Sequence, residues 1–188
     1  VHARHAVLAL HMGGGGGMEI WQYTSREPQP ASFEGQLGDT GIFICKIKCK
    51  DADTMHAEHA RRGINALGPV HRRPDGVKHF YLKDPHGYLF EMVESNEWFG
   101  PANYGGGVGG AVLGVSDVEK SLKLYSDILG YDHVLMDEVG SHSAFDLLPG
   151  GGQVYRRVVL KRSQPTEGAF SELLGGGEIE LIQAMDRA

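Results

Sequence analysis

The chain has 188 residues, a net charge of −6, and a composition 41% hydrophobic and 22% charged, the profile of a globular protein with room for one compact domain or two small ones. It holds no basic block that would mark a nucleic-acid partner, and no apolar run approaches the length of a membrane span. Its two cysteines, Cys45 and Cys49, lie four apart on a predicted strand. Their Cα atoms are then roughly 13 Å apart, out of disulfide reach. That spacing fits a reducing, cytoplasmic setting.

Val1 to Met12 reads as a strand, followed by the glycine run Gly13 to Gly17 and a second strand through Glu19, Ile20 and Trp21. Glycine is abundant, with 28 residues, many of them clustered at 13–17, 105–110, 150–152 and 175–177. No cluster carries the Lys-Ser/Thr of a phosphate cradle, so the expectation is flexible strand connections. Arg26 to Asp39 contains Pro28, Pro30 and Gly35 without periodicity and reads as a linker. Gly41 to Lys50 reads as a strand. Asp53 is placed to cap a helix running through Met55 and Ala60 to a C-terminal Gly63. A short strand near Pro69 to Arg73 then leads into a hairpin. In it, Asp84-Pro85-His86-Gly87 has the order of a type I turn between His79–Leu82 and Tyr88–Val93. Glu91 falls in the middle of that second, otherwise apolar strand, and a carboxylate there requires either solvent or a partner.

Trp98 to Gly107 reads as a second linker. Ala111 to Val115 is a predicted strand, and Ser116 or Asp117 caps a helix from Val118 to Leu129. Val118, Leu122, Tyr125 and Leu129 give that helix an apolar stripe, and Gly130 ends it. Strands follow near Val134–Asp137, Ala144–Leu147 and Tyr155–Lys161, and a last one carries Glu180.

Three of these strands share a pattern. Aligned on Glu19, Glu91 and Glu180, each reads an acid, two apolar residues, then Gln or Glu. Val1 to Leu8 also resembles Val154 to Leu160, and each is followed by a glycine-rich loop and a Glu strand. The chain is therefore a set of repeats. The expected division is 1–30 as the closing half of a first module, 40–97 as a second, complete module, and 105–188 as a third whose partner module is absent.

The Asp84-Pro85-His86-Gly87 hairpin closing on Glu91 is similar to the vicinal oxygen chelate superfamily of glyoxalases, extradiol dioxygenases and bleomycin-resistance proteins. So is the helix from Asp117 to Leu129-Gly130-Tyr131. The resemblance implies an α+β fold of repeated βαβββ modules that pair into curved-sheet cups. It implies a divalent metal ion (Zn, Ni, Mn or Fe) held by closing-strand carboxylates, here Glu19, Glu91 and Glu180, with further ligands from each module's first strand. Those first-strand positions fall near Ile44 and Gly110, neither of which binds metal. Trp21, Tyr23, Phe80 and Tyr88 are the expected walls of the substrate cup. Glu19 and Glu91 are expected to face each other across one cup between the first two modules. Three functions follow from the resemblance: a metal-dependent lyase, isomerase or dioxygenase acting on a small oxygenated substrate, a metal-free small-molecule-binding protein, and a relative without a site. The expected partners are a small molecule and either a second copy of the chain, as a homodimer, or a fourth module in a longer parent chain.

Overall fold

The computed structural model describes residues 3–29 and 31–187. Val1 and His2 of the first expected strand, and Pro30 of the first expected linker, lie outside the described residues. Two sheets form. Strands β1 (Arg4–Leu10) and β2 (Gly17–Tyr23) pair antiparallel as a two-stranded ribbon, with Leu8 opposite Glu19.

The main sheet has eight strands. Its first half is β3 (Gly41–Cys49), helix α1 (Ala52–Arg61), β4 (His71–Arg72), β5 (Lys78–Lys83) and β6 (Leu89–Glu94). The second half repeats that order with β7 (Gly105–Gly114), α2 (Val118–Leu122), β8 (His133–Gly140), β9 (Tyr155–Lys161) and β10 (Glu178–Ala184). A π-helical stretch, Lys123–Ile128, prolongs α2, and a single turn, α3 (Ser171–Leu174), precedes β10. Strand order across the sheet is β4-β5-β6-β3-β7-β10-β9-β8. Each half is a βαβββ unit whose last strand runs parallel to its first, and the two first strands, β3 and β7, join the halves antiparallel.

The expectation that 105–188 lacks a partner is corrected by that pairing. Residues 40–97 and 105–187 complete one sheet with each other, and Val112 and Leu181 within it are 2% and 0% exposed. The ribbon forms a separate sheet, and β3, flanked by β6 and β7, has no free edge to offer it.

Local chemistry explains the elements. The cap of α1 is Asp51 rather than Asp53, its side chain accepting from the Thr54 N–H at 2.7 Å. Asp117 caps α2 in the same way through Lys120. In the β5–β6 turn, Asp84 Oδ1 accepts from the N–H groups of His86 and Tyr88, and Gly87 takes φ +94°. The Ala144–Leu147 stretch is a 3₁₀ turn over Phe145–Leu147, not a strand.

Alternation along the strands separates two faces. On one face α1 covers Cys49, Phe80 and Met92, and α2 covers Leu113, Val158, Leu160 and Leu181. The opposite face is the cup. Its apolar end consists of Ile44, Tyr81, Val112, Tyr155 and Ile182, plugged by Leu37, Phe145 and Leu148 from two loops. Leu37 belongs to the expected linker yet is fully buried, and the Tyr155 hydroxyl donates to the Gly150 carbonyl at 2.6 Å with the Leu37 carbonyl 3.1 Å away. The glycine run 13–16 is likewise packed rather than loose. A Cβ on Gly14 would lie 1.8 Å from the Gly106 carbonyl oxygen, so only glycine permits these two backbones to touch.

Candidate functional site

The middle of the cup holds ions rather than apolar side chains. In register, Glu178 faces Gly110, Gly110 faces Lys46, Lys46 faces Glu91 and Glu91 faces Tyr81, so one row crosses five strands of the sheet. Along β3 the side chains of Ile44, Lys46 and Lys48 share the cup face, and along β10 those of Glu178, Glu180 and Ile182 do.

The Lys46 ammonium, fully buried, contacts carboxylate oxygens of Glu178 and Glu180 and lies 3.2 Å from Glu91. Glu180 also accepts from Arg157 Nε at 2.6 Å. Glu178 is gripped by the Arg73 guanidinium, which holds Asp75 at 2.7 Å on its other side. His79 Nδ1 stands 2.8 Å from Glu91, and its ring meets Tyr81 edge-on. Lys46, Arg73 and Arg157 thus oppose Glu91, Glu178 and Glu180, with Asp75 as a fourth carboxylate behind Arg73.

Burial alone would favour the neutral forms of Lys46, Glu91 and Glu180, and the mutual attraction reverses it. Burial pushes Lys46 down, but Glu178, Glu180 and Glu91 together hold it above the usual lysine range. Glu91 is held well below the usual carboxylate range against its burial, chiefly by Lys46 and then by His79. Glu180 is drawn down to about 2 by Arg157 and Lys46, again against burial. Tyr81, buried beside Glu91, is pushed well up.

Of the residues expected at the site, Glu91 and Glu180 meet here. Glu19 does not: it lies exposed on β2, which corrects the expectation that it shares a cup with Glu91. The expected cup walls are also elsewhere. Phe80 points to the helix side, packed on Cys49, Ala52 and Met92, because its neighbours His79 and Tyr81 take the cup-facing positions of β5. Tyr88 is 71% exposed beside the turn, and Trp21 and Tyr23 sit on the exposed ribbon. Sequence reading missed Lys46, Arg73, Arg157 and Glu178. The period-two row Ile42, Ile44, Lys46, Lys48 was the available signal: two lysines continuing an apolar face imply buried partners of opposite charge.

A metal ion needs carboxylates free to donate to it, and these are already paired with Lys46, Arg73 and Arg157. Adding a dication would leave uncompensated positive charge in a buried site. The first-strand position of the second half is closed as well, since a Cβ on Gly110 would lie 1.9 Å from the Glu178 carbonyl oxygen. With Lys46 in place, no three His, Cys, Asp or Glu side chains among the described residues are grouped to hold a metal. The donor set does not fit the implied ion.

Beyond Glu178 the cup opens into a cavity of about 770 Å³, walled by Lys48, Trp98, Phe99, Tyr131, Lys161 and Glu178. Lys48 is 2% exposed, its ammonium donating to the carbonyls of Gly14 and Glu97, and burial lowers its pKa. Lys161 pairs with Glu97 at 2.9 Å.

No family model matches the chain, and no curated protein matches it. Solved structures do. The "putative dioxygenase" of Bacillus subtilis aligns over 98% of this chain and 53% of its own, with 19% identity and a TM-score of 0.56. Methylmalonyl-CoA epimerase of Streptomyces coelicolor aligns over 78% of this chain and 98% of its own, with 19% identity and a TM-score of 0.43. Glyoxalase I of Zea mays aligns over 81% and 46%, with 16% identity and a TM-score of 0.46. The chain spans about half the length of the Bacillus protein.

Proposed function

We propose that this chain, which has the vicinal oxygen chelate fold, is a metal-free small-molecule-binding protein that takes its ligand in the cavity beside Glu178. The observation that carries this reading is the Lys46 ammonium buried among Glu91, Glu178 and Glu180. An ion acting on a substrate must reach it with an open position, whereas this cation is fixed and internally paired. The cavity supports the reading with its composition. Trp98, Phe99 and Tyr131 offer apolar and aromatic contact, while Lys48 and Lys161 supply polar orientation, the usual division of labour in a ligand pocket.

The competing reading is a metal-dependent lyase, isomerase or dioxygenase on a small oxygenated substrate. It draws support from the convergence of Glu91 and Glu180, the closing-strand carboxylates of the two halves. For it to hold, Lys46 must leave the site when the ion enters.

One experiment separates them. Trp21 and Trp98 are the only tryptophans, and Trp21 stands on the exposed ribbon. In a Trp21→Phe variant, Trp98 fluorescence therefore reports the cavity alone. Titration with a panel of small aromatic carboxylates should give saturable changes that are identical with and without EDTA, and purified protein should carry no stoichiometric metal. Binding abolished by EDTA and restored by an added divalent ion would overturn the proposal.

A further inference from the structure

We infer that Lys46 is a built-in substitute for a bound cation, and that Glu91, Glu178 and Glu180 form a latent oxygen-donor site that its side chain keeps closed. The inference rests on the metal-free reading above and goes beyond it by assigning the ligand set and the residue that blocks it.

Three observations lead there. The carboxylates arrive from both halves of the sheet, Glu91 from β6 and Glu178 and Glu180 from β10, and they converge on a single Nζ atom. The partner strand cannot intervene, because Gly110, opposite Lys46, has no side chain and no room for one. Glu91 is fully buried, and its two oxygens meet Lys46 Nζ at 3.2 Å and His79 Nδ1 at 2.8 Å. A carboxylate in that state is held in place by whichever cation occupies the centre.

Removing the side chain at position 46 vacates the space beside Gly110 and leaves the three carboxylates with Arg73, Arg157 and His79. Ligands that are all carboxylate oxygens suit a hard divalent ion such as Mn²⁺ better than a thiolate- or imidazole-seeking one. The ammonium therefore does two things in the native protein. It supplies the positive charge, and its butyl stem fills the volume an ion and its water would take.

The test is direct Mn²⁺ binding, read by calorimetry and by electron paramagnetic resonance, which needs no assay of activity. Wild type and Lys46→Arg should show no stoichiometric binding. Lys46→Ala should take up one equivalent, and adding Glu180→Gln should weaken that binding by about tenfold or more. Lys46→Met, which removes the charge but keeps the bulk, should bind more weakly than Lys46→Ala. If Lys46→Ala folds only when the ion is present, recovery on refolding with Mn²⁺ but not without it supports the inference equally well. A folded Lys46→Ala that binds no Mn²⁺, or an unfolded one that Mn²⁺ does not rescue, would overturn it while leaving the metal-free reading intact. Stoichiometric metal in the wild type would instead overturn that reading, and this inference with it.

Discussion

Glu19 and Glu180 occupy the same position in two copies of one strand pattern, on β2 and β10. From Glu19 to Tyr23 every residue of β2 is exposed, and among the described residues its one strand neighbour is β1. Strand β10 lies between β7 and β9, and Glu180 is 0% exposed, bonded to Arg157 and paired with Lys46. A two-stranded ribbon has no second layer to bury a face against, whereas an eight-stranded sheet does. The same acid is therefore a solvated surface group in one copy and half of a buried ion network in the other. What differs is the set of strands on either side, and a repeat pattern carries no information about that.

The largest expected effect breaks this comparison at its two ends. Glu180→Ala takes away the carboxylate of buried Arg157 and one of the three around Lys46, and should cost about 3–5 kcal/mol in chemical denaturation. Glu19→Ala should fall within about 0.5 kcal/mol of wild type. Equal losses would mean that the two strands are not in different environments at all.

Acid should sharpen the same contrast. The folded-state pKa of Glu180, about 2, lies below its ordinary 4.5, because Arg157 and Lys46 outweigh the opposing effect of burial. A depressed carboxylate pKa stabilises the fold above the ordinary value, and that stabilisation is lost as pH falls from about 4.5 towards 2. The amount is on the order of 3 kcal/mol. Glu91, depressed in the same direction, loses its contribution with falling pH too. Stability measured against pH should therefore drop steeply in that window for wild type and for Glu19→Gln. The drop should be shallower for Glu180→Gln.

Amide hydrogen exchange should separate the two sheets next. Strands β1 and β2 have no buried residue along their length, while β9 and β10 are buried through most of theirs. The ribbon should open with at least about 2 kcal/mol less free energy than β9 and β10. Protection in β1 and β2 equal to that in β10 would show that the ribbon is covered by something in solution.

Much of the eight-stranded sheet was legible in the sequence, since helix caps, turn residues and strand alternation are local signals. Asp117, Gly87 and the Tyr155–Lys161 strand needed nothing from elsewhere in the chain. Pairing between halves was not legible. It depends on which first strand offers a free edge, and β3 and β7 advertise that edge with no residue type of their own. The site was half legible for a related reason. Glu91 stood out as an acid in an apolar strand, but its neutralising partners came from β3, and from Arg157 by way of Glu180, at sequence distances where only register brings them together. The resemblance pointed towards a metal because it supplied the carboxylates without supplying Lys46. Leu37 was hidden differently. One apolar residue in a Pro- and Gly-containing stretch has no period, yet it plugs the end of the cup.

The smallest expected effect lies in the turn that leads into β6, and it tests whether the ion cluster depends on local geometry. Gly87 has φ +94°, and a Cβ there would meet nothing closer than Lys83 Cε at 3.7 Å. Gly87→Val therefore has room for its Cβ, and its cost is that of the left-handed backbone, about 1–2 kcal/mol. Pro85→Ala frees the unfolded chain without disturbing the Asp84 bonds to His86 and Tyr88, and should cost about 0.5 kcal/mol. Neither change touches the pairing of Glu91 with Lys46, which is fixed by the β3–β6 register. The acid transition of both variants should consequently begin at the same pH as in wild type, starting from a lower plateau. A shift of that pH would mean that turn strain reaches Glu91, and that the cluster is held by the hairpin as well as by its charges.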